Sequence, residues 1–355
     1  MNDRERYLRT MRYQTVDRVP FWEFGTWPET VQRWKSEGYD PDNPPVILDK
    51  RDWVSSWFFP VPPFEHEVIS EDEKTITYIN HEGILMRERK DNSFSSMPQF
   101  LRFPVENKDD FRKFWKARMN ADLSARIGAN YVEILQGYKD RDFPLLLIAD
   151  RWGGFFGSLR NLMGVQNLCL AFYEDEALVE EMMDAHADFI IEIMDQVLDY
   201  TDVDVFGFWE DMACKHGPLI SPDMVRRLML PRYRRVVDFL RSRGVEFICL
   251  DSDGDISSLI PVWIDSGIDI LYPFEVQCGM DVLKVRREYG RDLRLWGGVD
   301  KRCAARSKEA IDIEIARIAP LVKDGGFIPM PDHSFPPDIS FENYIYFMEK
   351  MFSIL

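Results

Sequence analysis

The chain divides by its hydrophobic pattern into two unlike stretches. From Pro144 onward, short apolar runs recur between segments of helical periodicity: PLLLIAD, VDVFGFWED, VEFICLD, IDILYPFE, LRLWGGVD and GFIPMPDH. Continuous apolar runs separated by helices are the pattern of βα units around a parallel sheet whose two faces are both covered. Between the runs, Glu176 to Tyr200 carries Val179, Met182, His186, Phe189 and Ile193 at helical spacing. His186 therefore lies in an apolar stripe and reads as a hydrogen-bonded core residue. A second helix starts at Ser221 and contains Pro231, which should kink it because proline removes a backbone donor. A last helix begins at Ser340, a good cap, and should bury Met348, Met351, Phe352 and Leu355.

Before Pro144 the pattern is less regular. Asp3 to Tyr13 reads as an amphipathic helix with Tyr7, Leu8 and Met11 on one side, and a turn at Asp17 to Pro20 leads into the short apolar run PFWEF. The stretch from there to about Phe64 is rich in Pro and Trp and reads as loops with short helices. Thr75 to Arg89 reads as a hairpin turning at Asn80-His81-Glu82-Gly83, with His66 and His81 as solvated loop residues. Seven apolar runs, PFWEF included, predict an α/β fold: a distorted (β/α)8 TIM barrel with one strand missed. The barrel is expected as a single domain over residues 1–355, with an N-terminal extension and a hairpin-containing insertion at about 65–110.

Composition narrows the functions open to such a fold. A formal charge of -17 disfavours nucleic acid, which needs clustered Lys and Arg, and disfavours an anionic membrane surface. There is no apolar run of about 18 residues and no apolar leader, so a cytoplasmic protein is expected. The five cysteines are odd in number and include no CxxC pair, which suggests reduced, buried thiols. Dinucleotide, P-loop, H-E-x-x-H and G-x-S-x-G motifs are all absent. VEFICLDSDGD resembles a calcium loop only superficially, since Ile256 and Val262 stand where Gly and Glu are required.

What remains is the set of groups that end the apolar runs: Glu23, Asp150-Arg151, Trp209-Glu210-Asp211, Asp251 with Asp253, Glu275, Asp300-Lys301 and Asp332-His333. In a parallel barrel these ends share one rim. Converging carboxylates repel unless a cation or shared protons offset the charge. Two readings stay open here: a divalent metal, zinc first, or ion pairs with Arg151 and Lys301. Trp152, Phe155, Phe208, Trp209, Trp296 and Phe335 near the same ends could wall a pocket or simply pack.

Three stretches, RERYLRTMRYQTVDRVPFWEF, EDMACKHGPLISPDMVRRLMLPRYRRVVDFLRSRG and GGFIPMPDHSFPPDISFENY, resemble the uroporphyrinogen decarboxylase superfamily, which includes corrinoid-dependent methyltransferases. The resemblance implies a distorted barrel with its site at the C-terminal rim. True decarboxylases carry an Arg-rich segment after the first strand, and PFWEFGTWPET has no arginine there. In the thiol-accepting methyltransferases a His-x-Cys pair before a Gly, with a late Cys, holds zinc. Here Asp251-Ser252-Asp253-Gly254 and His333 occupy those places, so the position is kept while the sulfur is lost.

The resemblance thus implies a metal-dependent methyltransferase component that takes a methyl group from a small methoxy or methylamine-type donor to a corrinoid on a partner protein. Metal ligands are expected at Asp251, Asp253 and His333; Glu210, Glu275 and Arg151 are expected in catalysis; Glu23, Trp152, Trp209 and Lys301 are expected against the substrate. The alternatives are a decarboxylase or lyase of a small carboxylate or porphyrinogen-like substrate, and a non-catalytic barrel that binds a metal or small ligand.

Overall fold

The computed structural model describes residues 1–91 and 97–355. In chain order its strands are β1 (Asp52–Val54), β2 (Glu67–Glu71), β3 (Thr75–Ile79), β4 (Leu85–Arg89), β5 (Gln99–Arg102), β6 (Leu145–Ile148), β7 (Val205–Trp209), β8 (Ala213–Cys214), β9 (Gly217–Pro218), β10 (Phe247–Asp251), β11 (Ile270–Tyr272), β12 (Arg294–Trp296) and β13 (Phe327–Ile328). Seven of them form one sheet in the order β1-β6-β7-β10-β11-β12-β13, parallel throughout. The sheet curls as a half-barrel, and side chains on alternate positions go to opposite faces. Leu146, Ile148, Val205, Phe247, Cys249, Ile270, Tyr272, Trp296 and Ile328 pack together inside. Leu145, Leu147, Phe206, Ile248, Leu250, Leu271, Leu295 and Phe327 belong to the larger cluster shared with the helices. Both faces are buried, which is why the runs read as continuous rather than alternating.

Six of the seven expected strands form, and the first does not. PFWEF makes no ladder; the first sheet strand is β1, inside the stretch read as loops. Trp22 is drawn into the inner cluster, stacked on Tyr7 at 5.5 Å, while the backbone of Phe21 bonds to Asp49 instead of to a strand. The segment runs through the opening between the sheet's two edges: Thr26 bridges Phe335 beyond β13, and Arg51 ahead of β1 donates to the Glu23 carbonyl at 2.9 Å. Among the described residues no eighth strand joins the sheet.

The expected hairpin is the centre of a four-stranded antiparallel sheet, β2-β3-β4-β5. Asn80 makes the turn by accepting the N–H groups of Glu82 and Ile84, and Gly83 takes a positive φ. Residues 92–96, within the expected insertion, lie outside the described residues.

The kink expected at Pro231 takes the form of a π turn. Ser221 caps Pro222–Met224, the ladder widens over Val225–Met229, and a regular helix resumes at Leu230–Ser242. Pro231 offers no N–H to the preceding turn, so the ladder must skip there. The helix Phe341–Phe352 is capped by Ser340 and buries Tyr344, Phe347, Met348 and Met351, but Phe352 is half exposed rather than buried. His186 is buried in the helix Glu176–Leu198, its Nε2 2.7 Å from the Trp152 carbonyl, and burial pushes its pKa down to about 4. Among the described residues no helix is long and apolar enough to cross a membrane.

Candidate active site

The groups that end the strands separate into two sets. Glu23, Asp150, Asp211, Asp251 and Asp253 line a cavity of about 440 Å³ at the C-terminal rim of the sheet. Glu210, Glu275, Asp300 and Asp332 are turned to backbone N–H groups and hold the loops that shape it.

Glu210 is fully buried. It accepts the N–H groups of Phe155, Phe156 and Gly157 at 2.8, 2.6 and 2.9 Å, and the Tyr233 hydroxyl. These donors open the helix Phe156–Met163, where unpaired N–H groups favour a carboxylate. The glycines of GGFFG allow the approach: a Cβ on Gly157 would lie 2.2 Å from the Trp209 carbonyl oxygen. Burial nevertheless raises the Glu210 pKa to about 7, above what the hydrogen bonds oppose. Every acceptor site of Glu210 is thus occupied by protein, and it does not reach the cavity expected of an acid or ligand.

Glu275 accepts Gly254 N–H at 2.9 Å, with Gln277 and the Cys278 thiol also on it. Burial would raise its pKa, but these bonds hold it below the usual value. Its visible work is to fix the loop that carries Asp253. Asp332 does the same on the other side, accepting Val276 N–H and Lys301 N–H, with the Lys301 ammonium 3.6 Å away. Lys301 is consequently committed to Asp332 and does not line the cavity. Arg151 pairs with Glu82 of the hairpin turn at 2.9 Å and bonds Asn161, and Trp152 is buried against Phe114; neither faces the cavity expected of them. Phe155, Phe208, Trp296 and Phe335 are likewise fully buried.

The cavity is lined by aromatic rings and by acids, and Trp209 and Tyr272 flank Asp251 in the sheet register. The rings are those of Phe24, Trp53, Trp209 and Tyr272, with Met330 beside them. Trp53 and Tyr272 meet edge to face at 5.9 Å. Among the acids, burial raises the pKa of Asp251 well above the ordinary value, and the charges of Asp253, Asp211 and Asp150 add to it. Asp253 is pushed up to about 7 by burial and by Asp211 and Glu275. Asp211 is balanced by Arg160. Asp150 and Asp211 also hold positive φ angles of 34° and 41°, uncommon for non-glycine residues and a recurrent mark of functional loops.

His333 Nε2 stands 3.7 Å from Asp253 Oδ2. Its Nδ1 accepts Ser334 N–H at 2.8 Å, so the neutral ring carries its proton on Nε2, facing Asp253. Burial and Lys301 lower the His333 pKa and favour that neutral form. A metal bond at Nε2 would need the proton on Nδ1, where Ser334 N–H already points. Among the described residues no three His, Cys, Asp or Glu side chains are gathered as a metal site. Asp251, Asp253 and His333 do share the cavity, but as arranged they do not fit a zinc ion.

Residues that sequence reasoning missed are Phe24, Arg51, Trp53, Tyr272 and Met330. Tyr272, the last strand residue of an apolar run, carried a usable signal; Trp53, within a three-residue strand, and Arg51, just before it, carried none.

The chain is similar over 99% of its length, and 99% of the other chain, to a methyltransferase from Methanosarcina mazei, with 16% identity and a TM-score of 0.63. It is more distantly similar to a B12-independent methionine synthase from Shewanella sp. W3-18-1 in complex with selenomethionine, with 12% identity, 63% and 64% coverage and a TM-score of 0.38. At these identities the first likeness is one of fold, and the second carries no argument. No curated protein matches the sequence. The family model for uroporphyrinogen decarboxylase (URO-D) matches residues 97–352. Most of the sheet, and four of the five acids of the cavity, fall within that match, and the chain belongs to the uroporphyrinogen decarboxylase family.

Proposed function

We propose that this protein transfers a methyl group from a small methylated donor, of methoxy or methylamine type, to a corrinoid carried by a partner protein. The observation that carries the reading is the Asp251 and Asp253 pair: two carboxylates facing a small aromatic-walled cavity, with Asp253 able to hold a proton near neutral pH. Family membership and the methyltransferase-like fold support it. A reduced corrinoid, when presented, supplies an electron pair that accepts the methyl group. The chain's own residues do the rest. Phe24, Trp53 and Trp209 enclose the methyl-bearing end and exclude water. Where the leaving atom is oxygen, Asp253 gives it a proton, and the neighbouring His333 N–H steadies the carboxylate that results.

The test is methylation of added reduced cobalamin by the purified protein and a panel of methoxy and methylamine donors. Asp253→Asn should lower the rate with a methoxy donor by roughly 10²- to 10⁴-fold, the usual worth of a positioned acid. No methylation by wild type, or an unchanged rate in the variant, defeats the reading. Elemental analysis belongs beside it: the His333 tautomer predicts no stoichiometric zinc, and one ion per chain that His333→Ala removes would overturn that.

A second reading is favoured by Arg51, the one guanidinium lining the cavity among the described residues. It would grip a small carboxylate for decarboxylation or lyase chemistry, with Asp253 protonating the carbanion. Release of carbon dioxide without methyl transfer distinguishes it. A polyanionic porphyrinogen would meet five cavity acids and is disfavoured under either reading.

A further inference from the structure

Three of the cavity acids have no Lys or Arg within ion-pair distance among the described residues. Arg160 is paired with Asp211 and lies over Trp209 at 4.6 Å, and Lys301 is paired with Asp332. Arg51 lies over the Trp22 ring at 4.7 Å and the Trp53 ring at 5.6 Å and donates to the Glu23 carbonyl. Asp150, Asp251 and Asp253 are left facing the cavity without a Lys or Arg partner among the described residues, and His333 beside Asp253 is neutral. With a neutral or anionic ligand that charge is offset by protons on Asp251 and Asp253 and, from beyond ion-pair distance, by Arg160, Lys301 and Arg151; a cation in the cavity offsets it directly. The rings in the same lining suit a cation too, because aromatic faces attract positive charge, as they already do for Arg160 over Trp209 and Arg51 over Trp53 at 5.6 Å.

An independent feature points to a ligand with an N–H. Tyr272 is 1% exposed and lines the cavity, and among the described residues its hydroxyl has no hydrogen-bond partner. Buried hydroxyls are rarely left so. Its oxygen can accept a donor from a ligand in the cavity.

We infer that the methyl donor is a protonated N-methylated amine, bound as a cation among the rings of Trp53 and Trp209 and the carboxylates of Asp150, Asp251 and Asp253, with the Tyr272 hydroxyl oxygen accepting its N–H. The inference rests on the methyl-transfer reading. The chemistry balances without an added proton: the C–N bond breaks, its electron pair stays on nitrogen, the methyl group goes to the acceptor's electron pair, and the amine leaves neutral with its N–H intact. Asp253 is then a counter-charge for this donor rather than its acid. Aliphatic amines keep their proton at neutral pH, as lysine does.

Calorimetric titration at pH 7.5 with trimethylammonium, tetramethylammonium, tert-butanol and acetate tests the inference. Trimethylammonium should bind tightest. Tetramethylammonium, without an N–H, should be roughly tenfold weaker, and tert-butanol weaker again by roughly tenfold or more. Tyr272→Phe should remove the difference between the two cations. Trp53→Leu and Asp150→Asn should each weaken both cations about tenfold. Equal or tighter binding of tert-butanol or acetate overturns the inference, as does a Tyr272→Phe variant that keeps the ratio. If methoxy donors methylate cobalamin while the cations do not bind, the donor assignment fails and methyl transfer stands. If the cations bind as expected but no donor is demethylated, methyl transfer fails, and the donor assignment with it.

Discussion

Glu210 offers a sharp test of how this rim is held together. In the folded chain its pKa rises from the ordinary 4.5 to about 7 because burial disfavours the charged form. Between those values the native state keeps a proton that the unfolded chain gives up, so stability falls as pH rises from about 4.5 to about 7. At about 1.4 kcal/mol per pH unit the full effect is about 3 kcal/mol, of which about 2.5 kcal/mol is lost between pH 5 and pH 8. Glu210→Gln keeps the shape and cannot ionise. Its amide can still accept two of the three N–H groups while Tyr233 turns to accept from the NH2 group, leaving one N–H unpaired at about 1–3 kcal/mol. The variant should therefore be less stable than wild type at pH 5, and the gap should close or reverse by about 2.5 kcal/mol at pH 8. Urea unfolding of both proteins at the two pH values reads this directly, and every other titrating group cancels in the difference. A wild-type-minus-variant difference that does not change with pH would refute the raised pKa.

Two further substitutions probe other parts of the scaffold. Asp204 is buried with Arg141 at 2.7 Å and also accepts Leu145 N–H at the start of β6, so Asp204→Ala should cost about 3–5 kcal/mol in denaturant unfolding; a loss under about 1 kcal/mol would mean that water replaces it. Gly254 has a φ of +86° and a Cβ there would lie 2.6 Å from the Ala213 carbonyl carbon. Gly254→Ala should cost more than the ~1 kcal/mol of a left-handed residue and, by displacing Asp253, lower methyl transfer to methoxy donors as Asp253→Asn does; full activity would show that the loop does not position the acid.

The residues show where reading from sequence worked and where it stopped. Six strands of the sheet were legible because a strand buried on both faces leaves a continuous apolar run, whatever it packs against. PFWEF has the same composition and forms no strand, because its tryptophan fills the inner cluster and its backbone bonds Asp49. β1 was invisible: three residues, Asp52–Val54, are too short to show a period. The hairpin turn at Asn80 to Gly83 was legible because its side-chain and backbone chemistry is local.

The site divides the same way. Sequence by itself determined that ionisable groups end the strands, since order along the chain fixes which residue follows each apolar run. Only the tertiary structure decided which of them face one another. Asp251 and Asp253 open into the cavity while Glu210, one strand away, turns to a helix N-terminus, and Arg151 and Lys301 find partners outside it. The reason is geometric: a side chain's direction depends on loop conformation and on donors brought from distant segments, such as Phe156 N–H for Glu210 and Ser334 N–H for His333. Neither is encoded in the spacing of the residues themselves.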